Sequence, residues 1–196
     1  RGTAIVGLML PLRTDRLLVR MMRSPDLAAF VAYRNDPDVA RYQSWTSFTA
    51  EAAQAFIAEM RMAQPGIAGT WFQFAIERRE ASNPGLHIGD CALHTLADDA
   101  RLGEIGYTLA TAHQGQGYAR EAVSAMLDHA FNSLHMHRIT ASVALLSEAP
   151  LEIIGSCPLD LEAIMTHLDE RDPVDRPRVI AVDSVHHTLA AATLPG

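Results

Sequence analysis

Residues 114–120, Gln114-Gly-Gln-Gly-Tyr-Ala-Arg120, constrain this chain more than any other stretch of it. They stand between a strand-like run, residues 102–109, and a segment of helical periodicity, residues 118–134. A chain that leaves a strand and enters a helix across two glycines turns sharply. Gly115 and Gly117 also let the backbone approach a ligand closely. The first helical turn has N–H groups without intrahelical partners, and the helix dipole adds partial positive charge. Together these make an anion site, and a pyrophosphate is its natural occupant. The loop has no Gly-Lys-Ser/Thr of a P-loop. It is also not a full dinucleotide fingerprint, because Arg120 stands where the third glycine would be. Taken alone, the same residues fit a tight strand-to-helix connection that binds nothing.

The rest of the chain decides the context. Its 196 residues suffice for one α/β domain and hardly for two. No apolar run approaches the roughly 18 residues that span a bilayer, so no membrane association is expected. All 16 basic residues are arginine, which removes lysine Schiff-base and P-loop chemistry. A net charge of −7 without a basic cluster argues against nucleic acid and favours cationic partners such as amines. Cys91 and Cys157 match no metal or redox spacing and read as buried thiols of a reducing compartment, the cytoplasm. His135-Met-His137 and His186-His187 lack a carboxylate or cysteine in a ligand pattern, so no metal is expected.

Periodicity gives the order β-α-α-β-β-β-α-β. Strands are expected at 17–22, 71–76, 86–96, 102–109 and 139–143, and helices at 25–33, 50–62 and 118–134. Ser24 is the expected cap of the first helix, with Pro25 at its first position, and Asn35-Asp-Pro37 its end. Thr49 is the expected cap of the second. Phe72, Phe74 and Ile76 share one face of their strand. Gly89 suggests a bulge or bend. Three consecutive strands imply an antiparallel meander, and one helix then joins two parallel neighbours. The anion loop therefore follows a meander strand, not the first strand of a βαβ unit.

Here the chain resembles a known family. Gln114-x-x-Gly117-x-Ala119 is similar to the Gln/Arg-x-x-Gly-x-Gly/Ala signature of the GNAT superfamily. The longer string from Glu104-Ile-Gly-Tyr107 through Gln114 to Glu121-Ala122 resembles its RimJ/RimL branch, which acetylates ribosomal-protein N-termini. Leu12-Arg-Thr-Asp-Arg-Leu-Leu-Val-Arg20, Arg34-Asn-Asp-Pro-Asp-Val-Ala-Arg-Tyr42 and His137-Arg-Ile-Thr-Ala141 agree in the right order. The resemblance implies an α/β (α+β) fold: a mixed, mainly antiparallel sheet with helices on both faces. Its fourth and fifth strands, counted from residue 17, splay apart. It implies acetyl-CoA as cosubstrate, with the pyrophosphate on the N–H groups of Gln114, Gly115, Gln116, Gly117, Tyr118 and Ala119, and Arg120 nearby. The pantetheine arm would run along Ile105, Tyr107 and Leu109. The acceptor would be a primary amine, a protein N-terminal α-amine or a small molecule, with a non-catalytic acetyl-CoA-binding or assembly domain as the alternative.

Acetyl transfer needs a neutral amine, a polarised thioester carbonyl and a proton for the leaving thiolate. Glu104 is the first candidate for base, or for holding the substrate ammonium. Tyr107 could face the acetyl group, and Ser142 could donate a proton or bind substrate. His87, His94 and His113 are the remaining titratable candidates in this region, each equally readable as a satisfied polar residue.

We expect the acetyl-CoA-binding core to cover residues 9–143, with residues 1–8 as an upstream extension. Residues 144–196 form a divergent, acidic C-terminal segment that lacks the family's asparagine and tyrosine markers. Two accounts of it stand: a closing unit that completes the sheet, or the product of a reading-frame change. In the first, residues 178–185 form a strand beside the one at 139–143, and Leu161, Ile164, Met165 and Leu168 form one face of a helix. The strand comes from the same chain or from a partner, so a homodimer is compatible with it.

Overall fold

The computed structural model describes residues 10–40, 47–79, 85–143, 178–183 and 188–192, the backbone alone for 141–143 and the two last segments. The upstream extension, Cys157, the tail helix and His186-His187 lie outside the described residues, as do residues 184 and 185 of the expected tail strand.

Among the described residues, eight strands form one sheet in chain order: β1 (Leu12–Arg13), β2 (Leu17–Met21), β3 (Trp71–Arg78), β4 (Leu86–Thr95), β5 (Leu102–Leu109), β6 (Arg138–Val143), β7 (Arg178–Asp183) and β8 (Thr188–Ala192). Every pair is antiparallel except β5–β6 and β6–β7. The helices are α1 (Leu27–Arg34), α2 (Pro37–Ala40), α3 (Ala50–Met62) and α4 (Tyr118–Asn132).

Strand alternation sorts the core onto two faces. Phe72, Phe74 and Ile76 of β3 join Leu93, Ile105 and Ile139 beneath Ala122, Val123, Met126, Leu127 and Ala130 of α4. Ala75, of opposite parity, packs with Phe30 and Tyr33 of α1 and Ala53, Ile57 and Met60 of α3. Helices thus cover both faces, as the family resemblance implies.

Several local expectations are met residue by residue. Thr49 Oγ1 accepts from the Ala52 N–H at 3.1 Å and caps α3. The β3–β4 register shifts at Ile76/Glu77, which leaves Ile88 beside Gly89 as the extra residue of a bulge. A Cβ on Gly89 would stand 2.2 Å from the Thr108 carbonyl oxygen and 2.9 Å from the Leu109 Cα, so only glycine fits there.

Other expectations need correction. Ser24 does not cap the first helix. A 3₁₀ turn, Ser24–Asp26, precedes α1, and the Asp26 carboxylate accepts the Arg23 N–H at 2.7 Å. Arg20 holds that carboxylate with two bonds of 2.8 Å, so a tertiary ion pair sets the helix start. Asn35-Asp-Pro37 does end the first helix, as expected, since α1 stops at Arg34 with Asn35 as its C-cap; what was not expected is that a short second helix follows at once. Pro37 opens α2 at a position where its missing N–H is harmless, and Asp36 Oδ1 accepts from the Asp38 N–H at 3.0 Å. Strands β1 and β8 add to the five strands expected within 17–143 and the one at 178–185. β7 pairs in parallel with β6 from Arg138↔Arg178 to Val143↔Asp183, the placement expected of the tail strand.

Candidate functional site

The loop after β5 has the geometry of an anion cradle. Gly115 and Gly117 take φ of +71° and +79°, left-handed values that L side chains rarely adopt. Gly117 is the N-cap of α4, and the first backbone bond into the helix is Glu121 N–H to the Gly117 carbonyl at 3.1 Å. The N–H groups of Tyr118, Ala119 and Arg120 therefore have no intrahelical acceptor. Successive left-handed and helical residues point their N–H groups to one side, which concentrates positive potential there. Gln114 and Gln116 stabilise the loop itself. Gln114 Nε2 donates to the Leu109 carbonyl at 3.0 Å, and Gln116 Nε2 donates to the Ala112 carbonyl at 3.0 Å. Tyr118 and Ala119 are buried under the loop, whereas Arg120 is exposed.

Three residues that sequence reasoning did not assign to the site meet at this loop. Thr14 and Arg16, from the β1–β2 turn, converge on Glu121 in the first turn of α4. Glu121 Oε1 accepts from Thr14 Oγ1 at 2.5 Å and from the Arg16 N–H at 2.9 Å, and Oε2 accepts from Arg16 Nε at 2.6 Å. Arg16 Nη1 donates onward to the Gln116 carbonyl at 3.0 Å. The Arg16 guanidinium lies 4.5 Å from the Tyr118 ring centre, and that of Arg78 lies 5.4 Å away. Burial by itself would raise the Glu121 pKa; the hydrogen bonds from Thr14 and Arg16 outweigh it and hold the carboxyl below its usual range. The arginines of 16 and 20 flank an unremarkable Leu-Leu-Val run in the sequence, and only the distant partner Glu121 gives Arg16 a role.

Beyond the loop the sheet opens. β5 pairs with β6 only from Leu102↔Arg138 to Ile105↔Ala141. Residues 106–109 continue along β4 without a β6 partner, while Ser142 and Val143 continue along β7. Glu104 occupies the pair before the last, opposite Thr140, and is half-buried. About 16 Å of strand separates it from Leu109, at about 3.3 Å per residue. The opening thus connects the anion loop to the neighbourhood of Glu104.

The predicted site residues divide between the two sides of the sheet. Ile105, Tyr107 and Leu109 belong to the α4 face, where Tyr107 packs half-buried against the core. Glu104 alternates with them onto the α1/α3 face. Glu104 and Tyr107 are therefore not neighbours in one constellation. Ser142 sits on β6 one residue past the last β5 pair, in register with Val182, and its side chain lies outside the described residues.

On the Glu104 face a cross-strand row runs Trp71, His94, Glu104, Thr140 through β3, β4, β5 and β6. Trp71 is 45% exposed and stacks on His94, ring centres 4.7 Å apart and 10° from parallel. His94 thus leaves the set of lone histidines and becomes part of this wall. His87 is buried beside Asp26, 3.6 Å from Nδ1 to Oδ1, and His113 packs near Tyr118.

The same face carries a buried polar cluster that fixes α1. Asp90 accepts from Arg34 Nη2 at 3.0 and 3.1 Å, and from Tyr33 Oη and Gln73 Nε2. From the end of α1, Asn35 clasps Phe48 through both backbone groups at 2.8 Å, and Asp36 Oδ2 accepts from Thr111 Oγ1 at 2.6 Å. The α1–α3 connection is thereby tied to the start of the anion loop. Cys91, on β4 opposite Tyr107, is fully buried, and burial followed by the charge of Asp90 pushes its thiol far up, so it is inert.

Comparison with known proteins agrees with this geometry. Residues 16–154 match the family model for the acetyltransferase (GNAT) domain. The chain is 30% identical over 154 residues to the uncharacterized N-acetyltransferase p20 of Bacillus licheniformis, covering 79% of this chain and 84% of that one. Among solved structures it is similar to a GNAT-family acetyltransferase from Bacillus anthracis, at 26% identity and a TM-score of 0.57, over 66% of this chain and 71% of that one. It shares its fold with Mycobacterium smegmatis RimJ in complex with CoA-disulfide, at 23% identity and a TM-score of 0.57, over 80% and 71% of the two chains.

Proposed function

The chain belongs to the GNAT acetyltransferase family and is an acetyl-CoA-dependent N-acetyltransferase, and we propose that its acceptor is a primary amine delivered as an ammonium to Glu104. The observation that carries this reading is the position of Glu104 beside the place where β5 and β6 part. With the pyrophosphate on the Gly115–Gly117 cradle, a pantetheine arm led into the opening along residues 106–109 would bring its thioester to that point. The cradle N–H groups and Arg120 would hold the pyrophosphate. Ile105, Tyr107 and Leu109 would line the arm from the α4 side.

Glu104 takes the ammonium proton. The neutral nitrogen then attacks the thioester carbonyl, a C–N bond forms, the C–S bond breaks, and the second proton, lost by the attacking nitrogen as it becomes the amide, goes to the departing sulfur, which leaves as CoA thiol. Any oxyanion is met by backbone donors at the opening. The exposed Trp71 face and the net charge of −7 favour a cationic acceptor, an N-terminal α-amine of a peptide or a small amine. Thiol release from acetyl-CoA, followed with a panel of N-terminal peptides and small amines, tests the reading. Amine-dependent release with N-acetylated product is expected. Thioester turnover that no primary amine accelerates would overturn it.

A further inference from the structure

We infer that Arg16 and Glu121 act as a clasp that sets the peptide planes of the Gly115–Gly117 cradle, so that both are positioning residues for donor binding; this rests on the pyrophosphate reading above. The cradle can present its N–H groups outward only if its carbonyls are turned away. Arg16 Nη1 does this at one point, taking the Gln116 carbonyl at 3.0 Å. The next peptide belongs to Gly117, whose φ of +79° is held without a side chain.

Arg16 needs a fixed origin to act in this way. Glu121 supplies it: the carboxylate takes the Arg16 backbone N–H, its Nε and the Thr14 hydroxyl together. The Arg16 plane then rests on the Tyr118 ring, 4.5 Å from its centre. The clasp therefore runs from the β1–β2 turn, through the first turn of α4, to the middle of the loop. A Cβ on Gly117 would meet Arg16 Nη2 at 3.4 Å, which shows how closely the guanidinium follows the backbone. With Nε on Glu121 and Nη1 on Gln116, the fork spans two partners at once. The point charge of a lysine lacks that geometry.

The competing account is that Arg16 is simply a positive charge near an anion. The two accounts differ in sign at Glu121. Removing a carboxylate from the first turn of a helix makes the local potential more positive, so simple electrostatics gives equal or tighter anion binding. The clasp gives weaker binding, because Arg16 loses its anchor. They differ again at Arg16→Lys, which preserves charge and breaks the fork.

Calorimetric titration of the full chain with CoA decides between them. Glu121→Gln and Arg16→Lys should each weaken CoA binding on the order of tenfold, as expected for lost hydrogen bonds to charged groups. Their thermal transitions, read in the same samples, establish that the compared proteins are folded. Thr14→Val, which removes one bond to Glu121 and no charge, is the mild variant and should weaken CoA two- to threefold, roughly in line with a neutral donor. CoA binding that is unchanged or tighter in folded Glu121→Gln or Thr14→Val overturns the clasp. Gly117→Val, run alongside, separates the two readings: if it leaves CoA binding intact, the pyrophosphate assignment fails independently of Arg16.

Discussion

At the scale of single residues, the two carboxylates Glu104 and Asp26 serve different ends. Glu104 stands half-buried beside the strand opening, where the proposed amine acceptor would shed a proton. Glu104→Gln should lower kcat by roughly 10²- to 10⁴-fold, the range of a positioned base, and leave the CoA dissociation constant within a factor of two or so. A rise in the acceptor KM with kcat intact would make Glu104 a binding residue instead. Asp26 is buried and structural. Burial alone would raise its pKa; the hydrogen bonds from Arg20 and the Arg23 N–H, with the His87 ring alongside, outweigh it and hold the carboxyl far below its usual range. A depressed folded pKa gives stability that is present above the unfolded value, about 3.9, and lost as pH falls toward the folded one. Asp26→Asn should therefore destabilise the protein near neutrality by about 1.5–3 kcal/mol, because Arg20 loses one of its two carboxylate partners and is left with Glu77, and the difference should shrink in strong acid. Denaturant melts at neutral and acid pH measure both, and a pH-independent difference would contradict the assignment.

At the scale of elements, legibility followed locality. The span of α3 and its Thr49 cap could be read because cap and acceptor are three residues apart. Thr49→Ala should cost about 1 kcal/mol, readable as a shifted denaturation midpoint with an unchanged slope. The Gly89 bulge and the loop of Gly115 and Gly117 were legible for the same reason, glycine marking the backbone conformation at its own position. The start of α1 was not, since Asp26 owes its place to Arg20 on another element. Nor was the link from Arg16 to Glu121, partners 105 residues apart. β8, Thr-Leu-Ala-Ala-Ala, has little intrinsic strand preference and exists as a strand by pairing with β7. The tail pairing also has a consequence: β7 covers the outer edge of β6. Deleting residues 178–196 should leave that edge open, lower the thermal midpoint and promote self-association, seen by light scattering. A truncated chain as stable and monodisperse as the whole would show that the edge does not need the tail.

At the scale of the whole molecule, one sheet performs two tasks. Its antiparallel part, β1 to β5, is packed on both faces and holds Glu104, His94 and Trp71 in one row. Its parallel part begins where α4 returns the chain to β6, and the pair parts after Ile105 and Ala141. The helix that makes the crossover also begins at the Gly115–Gly117 loop, so the topology that opens the sheet also places the cradle at the mouth of the opening. The order of elements made this much foreseeable, and the family resemblance supplied the splay. The division of Glu104 and Tyr107 between opposite faces follows from strand parity, and only the observed partners of each show which face meets which helix. The central claim is that acetyl-CoA is held by its pyrophosphate on the N–H groups around Gly117. Calorimetric titration of CoA into wild type and Gly117→Val tests it most directly. The account predicts that the valine, forced into a left-handed φ with its side chain at the cradle, abolishes measurable binding while the fold persists. CoA binding of equal affinity in the two proteins would contradict it.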